Sequence, residues 1–155
     1  MLKSISDMEK KKIVLTLCKV FPATSSEAGE PTGFEAKLKA GIKKHTIRAN
    51  KGGVWDKRVA DIQAGKKVLC VREWTGKPYN SEQREFARFE KIGIQHVEIF
   101  RSTFPVQCKV DGKLVAVEEL AANDGLSYDQ FIDWFFGDGA DHFEGVILHF
   151  TDFRY

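Results

Sequence analysis

Apolar side chains recur along this chain mostly at every second position, in short runs bounded by Gly, Pro, Asn and Asp. Such runs predict β-strands rather than long helices. Asp111-Gly112, between two of these runs, is the strongest hairpin signal in the sequence. The predicted strands are 12–21, 45–48, 67–74, 86–92, 94–103, 107–110, 113–117 and 143–150.

Four shorter stretches carry helical signals instead. We predict helices over 33–40 and 54–63 and a helical turn over 118–123, with Gly41 ending the first at the position after its C-cap. Ser127 and Gln130 form a capping-box pattern that begins a fourth helix. The residues expected on the buried side of that helix are Phe131, Trp134 and Phe135.

Strands that do not alternate with long helices argue against a doubly wound parallel sheet. The order of elements favours an α+β fold, with a small mixed β-barrel surrounded by short helices. A chain of 155 residues fits one compact domain, which we expect to span 1–155.

The three cysteines lie far apart in apolar, strand-like runs, so we expect buried free thiols and a reducing, cytoplasmic location. Residues 1–3 and the lysines that follow do not resemble a secretory signal. No run approaches the roughly 20 apolar residues that span a bilayer, so no membrane partner is expected. The cysteines are Cys18, Cys70 and Cys108.

The net charge of +2 hides a strong asymmetry along the chain. Residues 37–67 contain ten Lys or Arg and two acidic residues, whereas 118–155 contain nine acidic residues and one Arg. The two segments either form separate functional faces or lie side by side and neutralise each other.

The segment 41–48, GIKKHTIR, concentrates positive charge beside a hydroxyl group. This combination suits a site for an anion, a phosphate backbone or a polar carbonyl, although a basic edge strand that deters aggregation has the same pattern. On a regular strand Thr46 and Arg48 share a face and His45 points away, so His45 receives no catalytic role. Lys43 can join them only from the turn before the strand.

The pattern Gly41-x-Lys43-x-x-Thr46-Ile47-Arg48 resembles the ASCH domain, a branch of the PUA-like β-barrel superfamily. Segment 120–127, which leads into the Ser127 helix, resembles a later part of the same family, so the likeness covers about 33–150. Residues 75–100 are longer than the family core and imply an extended hairpin or flap. The family's acidic residue is usually Glu, and here Asp124 is the candidate.

This resemblance implies RNA or nucleotide binding as the first expected function. Trp74 and Tyr79 flank a Gly- and Pro-containing loop and are candidates for stacking on bases, whereas Trp55 fits core packing on its helix. The basic residues that could contact phosphates include Lys43, Lys44, Arg48 and Lys51, with Lys57 and Arg58 beyond them.

The alternative that the resemblance implies is an amidohydrolase acting on an acylated nucleoside such as N4-acetylcytidine. Thr46 would then be the nucleophile, Lys43 its base and Asp124 a proton shuttle, with Arg48 orienting the substrate or stabilising an oxyanion. A purely structural role for this set, with Arg48 paired to an acid, is also open, as is a protein-interaction module that uses the acidic C-terminal third.

No cofactor or metal is expected from the sequence. Asp138, Asp141 and His142 are close together, but the glycines among them are typical of a solvated turn. The phosphate-binding Gly-x-x-x-x-Gly-Lys pattern and the Gly-x-Ser-x-Gly nucleophile pattern do not occur.

Overall fold

The fold of this chain is known from a computed structural model, which describes residues 10–102 and 105–155. Residues 1–3, considered above as a possible signal, and Thr103, the last residue of a predicted strand, lie outside the described residues. The eight strands are β1 Lys11–Thr16, β2 His45–Arg48, β3 Lys67–Trp74, β4 Gln83–Phe89, β5 Gly93–Phe100, β6 Gln107–Val110, β7 Lys113–Val115 and β8 His142–His149.

Four α-helices and one 3-10 turn connect these strands, and the predicted α+β class is therefore confirmed. The α-helices are α1 Phe34–Lys39, α2 Val54–Gln63, α3 Val117–Asn123 and α4 Tyr128–Phe136, and the 3-10 turn is Lys51–Gly53. Ser127 and Gln130 form the predicted capping box at the start of α4, with each side chain bonded to the other residue's backbone N–H.

The strands form two hydrogen-bonded sheets, and within the described ranges they do not close into one barrel. The smaller sheet has the order β1-β3-β4, with β1 parallel to β3. The larger sheet has the order β2-β8-β5-β6-β7 and is antiparallel throughout. Asp111 and Gly112 form the turn between β6 and β7, as predicted.

One continuous apolar core joins both sheets and the helices. Leu15 and Val71 of the smaller sheet, Ile99 and Ile147 of the larger sheet, and Phe131 of α4 are all at most 2% exposed and belong to this core. The alternating burial along β5 has the pattern expected of a strand with one face on a core.

Two predictions about the first strand were wrong. The strand predicted over 12–21 ends at Thr16, because the chain then leaves the sheet and pairs Val20 with Pro31 in an isolated bridge. Cys18, predicted to be buried, is exposed as a result, whereas Cys70 and Cys108 are buried as predicted. All three thiols are free.

Among the described residues, no helix is both long enough and apolar enough to cross a membrane.

Candidate functional site

Two helix ends meet at the start of β2 and set the geometry of the site. Gly41 ends α1 at a φ of 75°, and Gly125 ends α3 at a φ of 83°, a region that favours glycine. After each glycine the next backbone N–H bonds back to the helix, from Ile42 to Lys37 O and from Leu126 to Ala121 O. Both ends are therefore Schellman motifs, and each turns the chain sharply toward the other.

The close approach of these two turns brings Lys43 onto Asp124. The Lys44 N–H donates to Asn123 O at 2.8 Å and so ties the two turns together directly. A Cβ atom on Gly125 would lie 3.3 Å from Cβ of Lys43, so glycine at this position gives the lysine stem its room. Lys43 lies in the turn before β2 and reaches Asp124 from there. This is the position that its spacing from Thr46 requires.

Lys43 is one of the most buried side chains of the protein, at 1% exposed. Its Nζ donates to the Asp124 backbone O at 2.6 Å and lies 3.4 Å from Asp124 Oδ1. The ammonium also lies 4.1 Å from the centre of the Phe34 ring, a cation–π contact. Burial lowers the pKa of Lys43 from 10.5 to about 8; the charge of Asp124 opposes this shift, and that of Arg48 adds to it.

Thr46 and Arg48 share a face of β2, as predicted. The Arg48 guanidinium donates to Thr46 Oγ1 at 3.1 Å and to Thr16 O, at the end of β1, at 2.8 Å. Burial lowers the pKa of Arg48 from its ordinary value, although the charge of Asp124 opposes this. Arg48 therefore spans the gap between the edge strands of the two sheets while presenting its charge to the Thr46 hydroxyl.

Lys43, Thr46, Arg48 and Asp124 all line one cavity of about 260 Å³. The chain thus brings together all three predicted catalytic residues and the predicted arginine. Aromatic side chains of α1 and α4 also line this cavity. The remaining lining residues are Thr16, Leu17, Cys18, Phe34, Ile47, Trp134 and Phe135.

The aromatic wall explains a difference from the predicted burial of α4. Phe131 is fully buried, but Trp134 and Phe135 are only partly buried, and Phe136 is buried although the pattern did not select it. Trp134 packs against the Phe34 ring at 5.8 Å and the Phe21 ring at 5.9 Å between centroids. Two aromatic residues assigned to the core by periodicity thus form a surface of the cavity.

The other predicted ligand-binding residues do not line this cavity. Lys44 is half-buried with its Nζ over the Phe153 ring at 4.8 Å, and Lys51 is exposed in the 3-10 turn. Trp74 ends β3 and packs on Tyr79 of the following loop, with ring centroids 5.1 Å apart.

Trp55 is buried at 6% exposure, as predicted for core packing on its helix. Its indole ring is covered by the Arg58 guanidinium, which lies 4.7 Å from the ring centroid. Arg58, considered above as a phosphate contact, is thus engaged in a cation–π contact.

Sequence reasoning missed the polar residues behind Asp124. His45 is fully buried, with Nδ1 3.1 Å from Asp124 Oδ1 and Nε2 2.7 Å from the Tyr155 hydroxyl. One feature of the sequence could have pointed to them. A histidine on the inward face of a strand must have polar partners, because buried polar groups are hydrogen-bonded. Its partners were not visible because they lie 79 and 110 positions away.

No group of three His, Cys, Asp or Glu side chains suited to a metal ion occurs in the part of the chain that the structure describes. Near the turn at 137–141, Asp138 Oδ1 instead accepts from the Ala140 backbone N–H at 3.1 Å.

Comparison of the chain with family models, curated proteins and solved structures found no match.

Proposed function

We propose that this protein is an amidohydrolase that removes the acyl group from an acylated nucleoside in the Lys43–Asp124 cavity. The observation that carries the proposal is a buried lysine with a lowered pKa, in one cavity with a hydroxyl group, a carboxylate and a guanidinium. A lysine acts as a general base only when its pKa approaches the working pH, which ordinary exposed lysines do not reach.

The first half of the reaction transfers the acyl group to Thr46. Neutral Lys43 accepts the hydroxyl proton while Thr46 Oγ1 attacks the acyl carbon, and the carbonyl electrons move onto oxygen. Arg48, already donating to Oγ1, is placed to stabilise that oxyanion. Collapse of the intermediate breaks the C–N bond, and the Lys43 ammonium returns the proton to the leaving nitrogen.

The second half regenerates the enzyme with water. Water attacks the acyl-Thr46 ester and gives a proton to Lys43, which passes it to Thr46 Oγ1 as the ester bond breaks. The products are the free amine and a carboxylate, with one proton released to solvent. Asp124 holds the Lys43 ammonium formed in each half, through its backbone O and its carboxylate.

The size and walls of the cavity support a small substrate with a flat ring. Its volume of about 260 Å³ lies just below the range of about 300–1,000 Å³ that is usual for ligand sites. Phe34, Trp134 and Phe135 offer aromatic surface to such a ring. A single acylated nucleobase therefore fits better than a stretch of polymer.

We further infer that the two sheets are the halves of an open, PUA-like barrel of the ASCH type. Arg48 links edge strand β1 of one sheet to edge strand β2 of the other. At a second place Phe89, at the end of β4, stacks on Phe150, just after β8, at 5.0 Å between centroids. The first contact joins an edge strand of each sheet, and the second joins edge strand β4 to the end of inner strand β8, so the two sheets touch at both edges of the smaller one.

We place the protein in the cytoplasm. Its three thiols are free, and Cys18 is exposed. An exposed free thiol stays reduced in that compartment, whereas it is readily oxidised in secreted proteins.

The test is turnover of N4-acetylcytidine, followed by release of cytidine. The intact protein should release cytidine, and Lys43→Ala and Thr46→Ala should each abolish release while the chain stays folded. Lys66→Ala, which changes an exposed lysine outside the cavity, is the matched control and should keep full activity. Absence of turnover across a panel of N-acylated nucleosides, or full activity in Lys43→Ala, would contradict the proposal.

A second candidate function, RNA or nucleotide binding, is favoured by one separate observation. Tyr79 is 87% exposed at a positive φ of 63°, and it packs on Trp74 at the end of the β3–β4 hairpin. The loop is braced by bonds from Thr75 Oγ1 to Glu82 O and from Gly76 N to Ser81 Oγ. An aromatic pair held out on a braced loop is suited to stacking on unpaired bases.

Binding of a single-stranded RNA to Tyr79→Ala tests this second candidate. Loss of one stacking platform should weaken affinity by about 1–3 kcal/mol per base. Leu114→Ala, which truncates an exposed side chain on β7, is the control and should bind like the intact protein. Equal RNA affinity of the Tyr79 and Leu114 variants would show that the aromatic pair is not part of an RNA-binding surface.

A further inference from the structure

A second polar cluster lies behind Asp124, away from the cavity. His45 Nδ1 is 3.1 Å from Asp124 Oδ1, and His45 Nε2 is 2.7 Å from the Tyr155 hydroxyl. The Asn123 side-chain amide donates to the same hydroxyl at 3.0 Å. His45 is fully buried and does not line the cavity, so a ligand there has no direct contact with it.

The partners fix the direction of these hydrogen bonds. An ionised carboxylate can only accept, so His45 Nδ1 must carry the hydrogen that it donates to Asp124. The Tyr155 oxygen already accepts from Asn123, and its own hydrogen is left to be donated to His45 Nε2. Burial raises the pKa of Tyr155, so this hydroxyl keeps its proton. A neutral His45 with hydrogen on Nδ1 satisfies every group in this chain of bonds.

This chain of bonds restrains the carboxylate that faces Lys43. Asp124 Oδ1 is shared between His45 Nδ1 at 3.1 Å and Lys43 Nζ at 3.4 Å. Without a hydrogen-bond donor at His45 Nδ1, the Asp124 carboxylate would be free to rotate about its side-chain bonds and move away from the Lys43 ammonium. The histidine in turn is held by Tyr155, because its second nitrogen has a partner of its own.

We infer that His45 and Tyr155 are positioning residues, which hold Asp124 in the orientation that Lys43 needs for acyl transfer. The inference rests on the proposed amidohydrolase function. Changes to His45 or Tyr155 should therefore alter turnover without altering substrate affinity, because neither residue lines the cavity.

The first experiment needs no substrate and reads the tautomer of His45 by ¹⁵N NMR of the imidazole ring. We expect the neutral form with hydrogen on Nδ1. The opposite tautomer, in which Nδ1 carries no hydrogen to donate to Asp124, would overturn the inference whatever the enzyme activity.

The second experiment compares two replacements of His45 in steady-state kinetics. Asparagine keeps a donor near the place of Nδ1, whereas leucine is of similar bulk and has none. His45→Leu should lower kcat by about 10- to 100-fold with KM unchanged, the size expected when a catalytic group is misplaced by about 1 Å. His45→Asn should keep kcat within about threefold of the intact protein.

Tyr155→Phe is a milder variant that keeps the ring and removes only the hydroxyl, so it tests the inference if His45→Leu does not fold. It should lower kcat by about two- to tenfold at constant KM. Equal losses in His45→Asn and His45→Leu, or a Tyr155→Phe enzyme with unchanged kcat, would overturn the positioning role while the intact protein still turns over substrate. Absence of turnover by the intact protein would instead refute the amidohydrolase itself.

Discussion

Replacing Lys43 with methionine tests the central electrostatic claim through stability alone. Between about pH 8 and 10.5 the unfolded chain keeps this lysine protonated, whereas the folded protein does not. The unfolded state then binds one more proton, so the free energy of unfolding rises with pH in this window. The slope is about 1.4 kcal/mol per pH unit, and over the whole window it amounts to about 3 kcal/mol. Methionine has no proton to lose, so Lys43→Met should lack this gain.

The assay is urea unfolding of the intact protein and Lys43→Met at pH 7, 8, 9 and 10, under reducing conditions. The difference in unfolding free energy between the two proteins should be constant below pH 8. Above pH 8 the intact protein should gain stability relative to Lys43→Met, by about 2.5 kcal/mol at pH 10. For Lys66→Met, which changes an exposed lysine, the unfolding free energy should differ from that of the intact protein by the same amount at every pH. Parallel curves for Lys43→Met as well would show that Lys43 has an ordinary pKa and would refute its assignment as a base.

Four further outcomes follow from the cavity and the core. The rate of acyl release, kcat/KM, should rise with pH and reach half its plateau near the Lys43 pKa of about 8, because only the neutral amine accepts a proton. Thr46→Ser should keep measurable turnover in the same cytidine-release assay, since it retains a nucleophilic hydroxyl. Iodoacetamide should modify the exposed Cys18 before the two buried cysteines, as read by mass spectrometry, and faster at higher pH because the thiolate is the nucleophile. Alkylation of Cys18 should then slow turnover, because this residue lines the cavity. Phe131→Ala should lower the free energy of unfolding by about 3–5 kcal/mol in urea titrations, because it empties a fully buried position in the core.

Local chemistry in the sequence was enough to predict most of the elements. The Asp111-Gly112 turn, the stop at Gly41 and the Ser127 capping box each depend on residues within a few positions of one another, and all three are confirmed. The strand 45–48 and the helix 54–63 were predicted with the bounds that the structure gives them.

What the sequence could not show depends on contacts between distant positions. The early end of β1 follows from the bridge between Val20 and Pro31, which strand propensity does not reveal. The parallel pairing of β1 with β3 joins segments more than 50 residues apart. The site divides in the same way. The resemblance of segment 41–48 to the ASCH pattern implied roles for Lys43 and Thr46, but the side chains behind Asp124 could be found only from the fold.

The double attachment of Arg48 has a consequence for how this protein can change. The guanidinium reaches the Thr46 hydroxyl and also holds the backbone of β1 at Thr16. A substitution at this position removes the donor to the Thr46 hydroxyl and weakens the contact between the sheets at once, so under the proposed mechanism few such variants would persist under selection. Trp134 and Phe135 of α4 border the cavity through ring surface, and their contacts are packing against other aromatic rings rather than polar links between the sheets. New substrate ranges, whether evolved or engineered, are therefore expected to arise first on that helix.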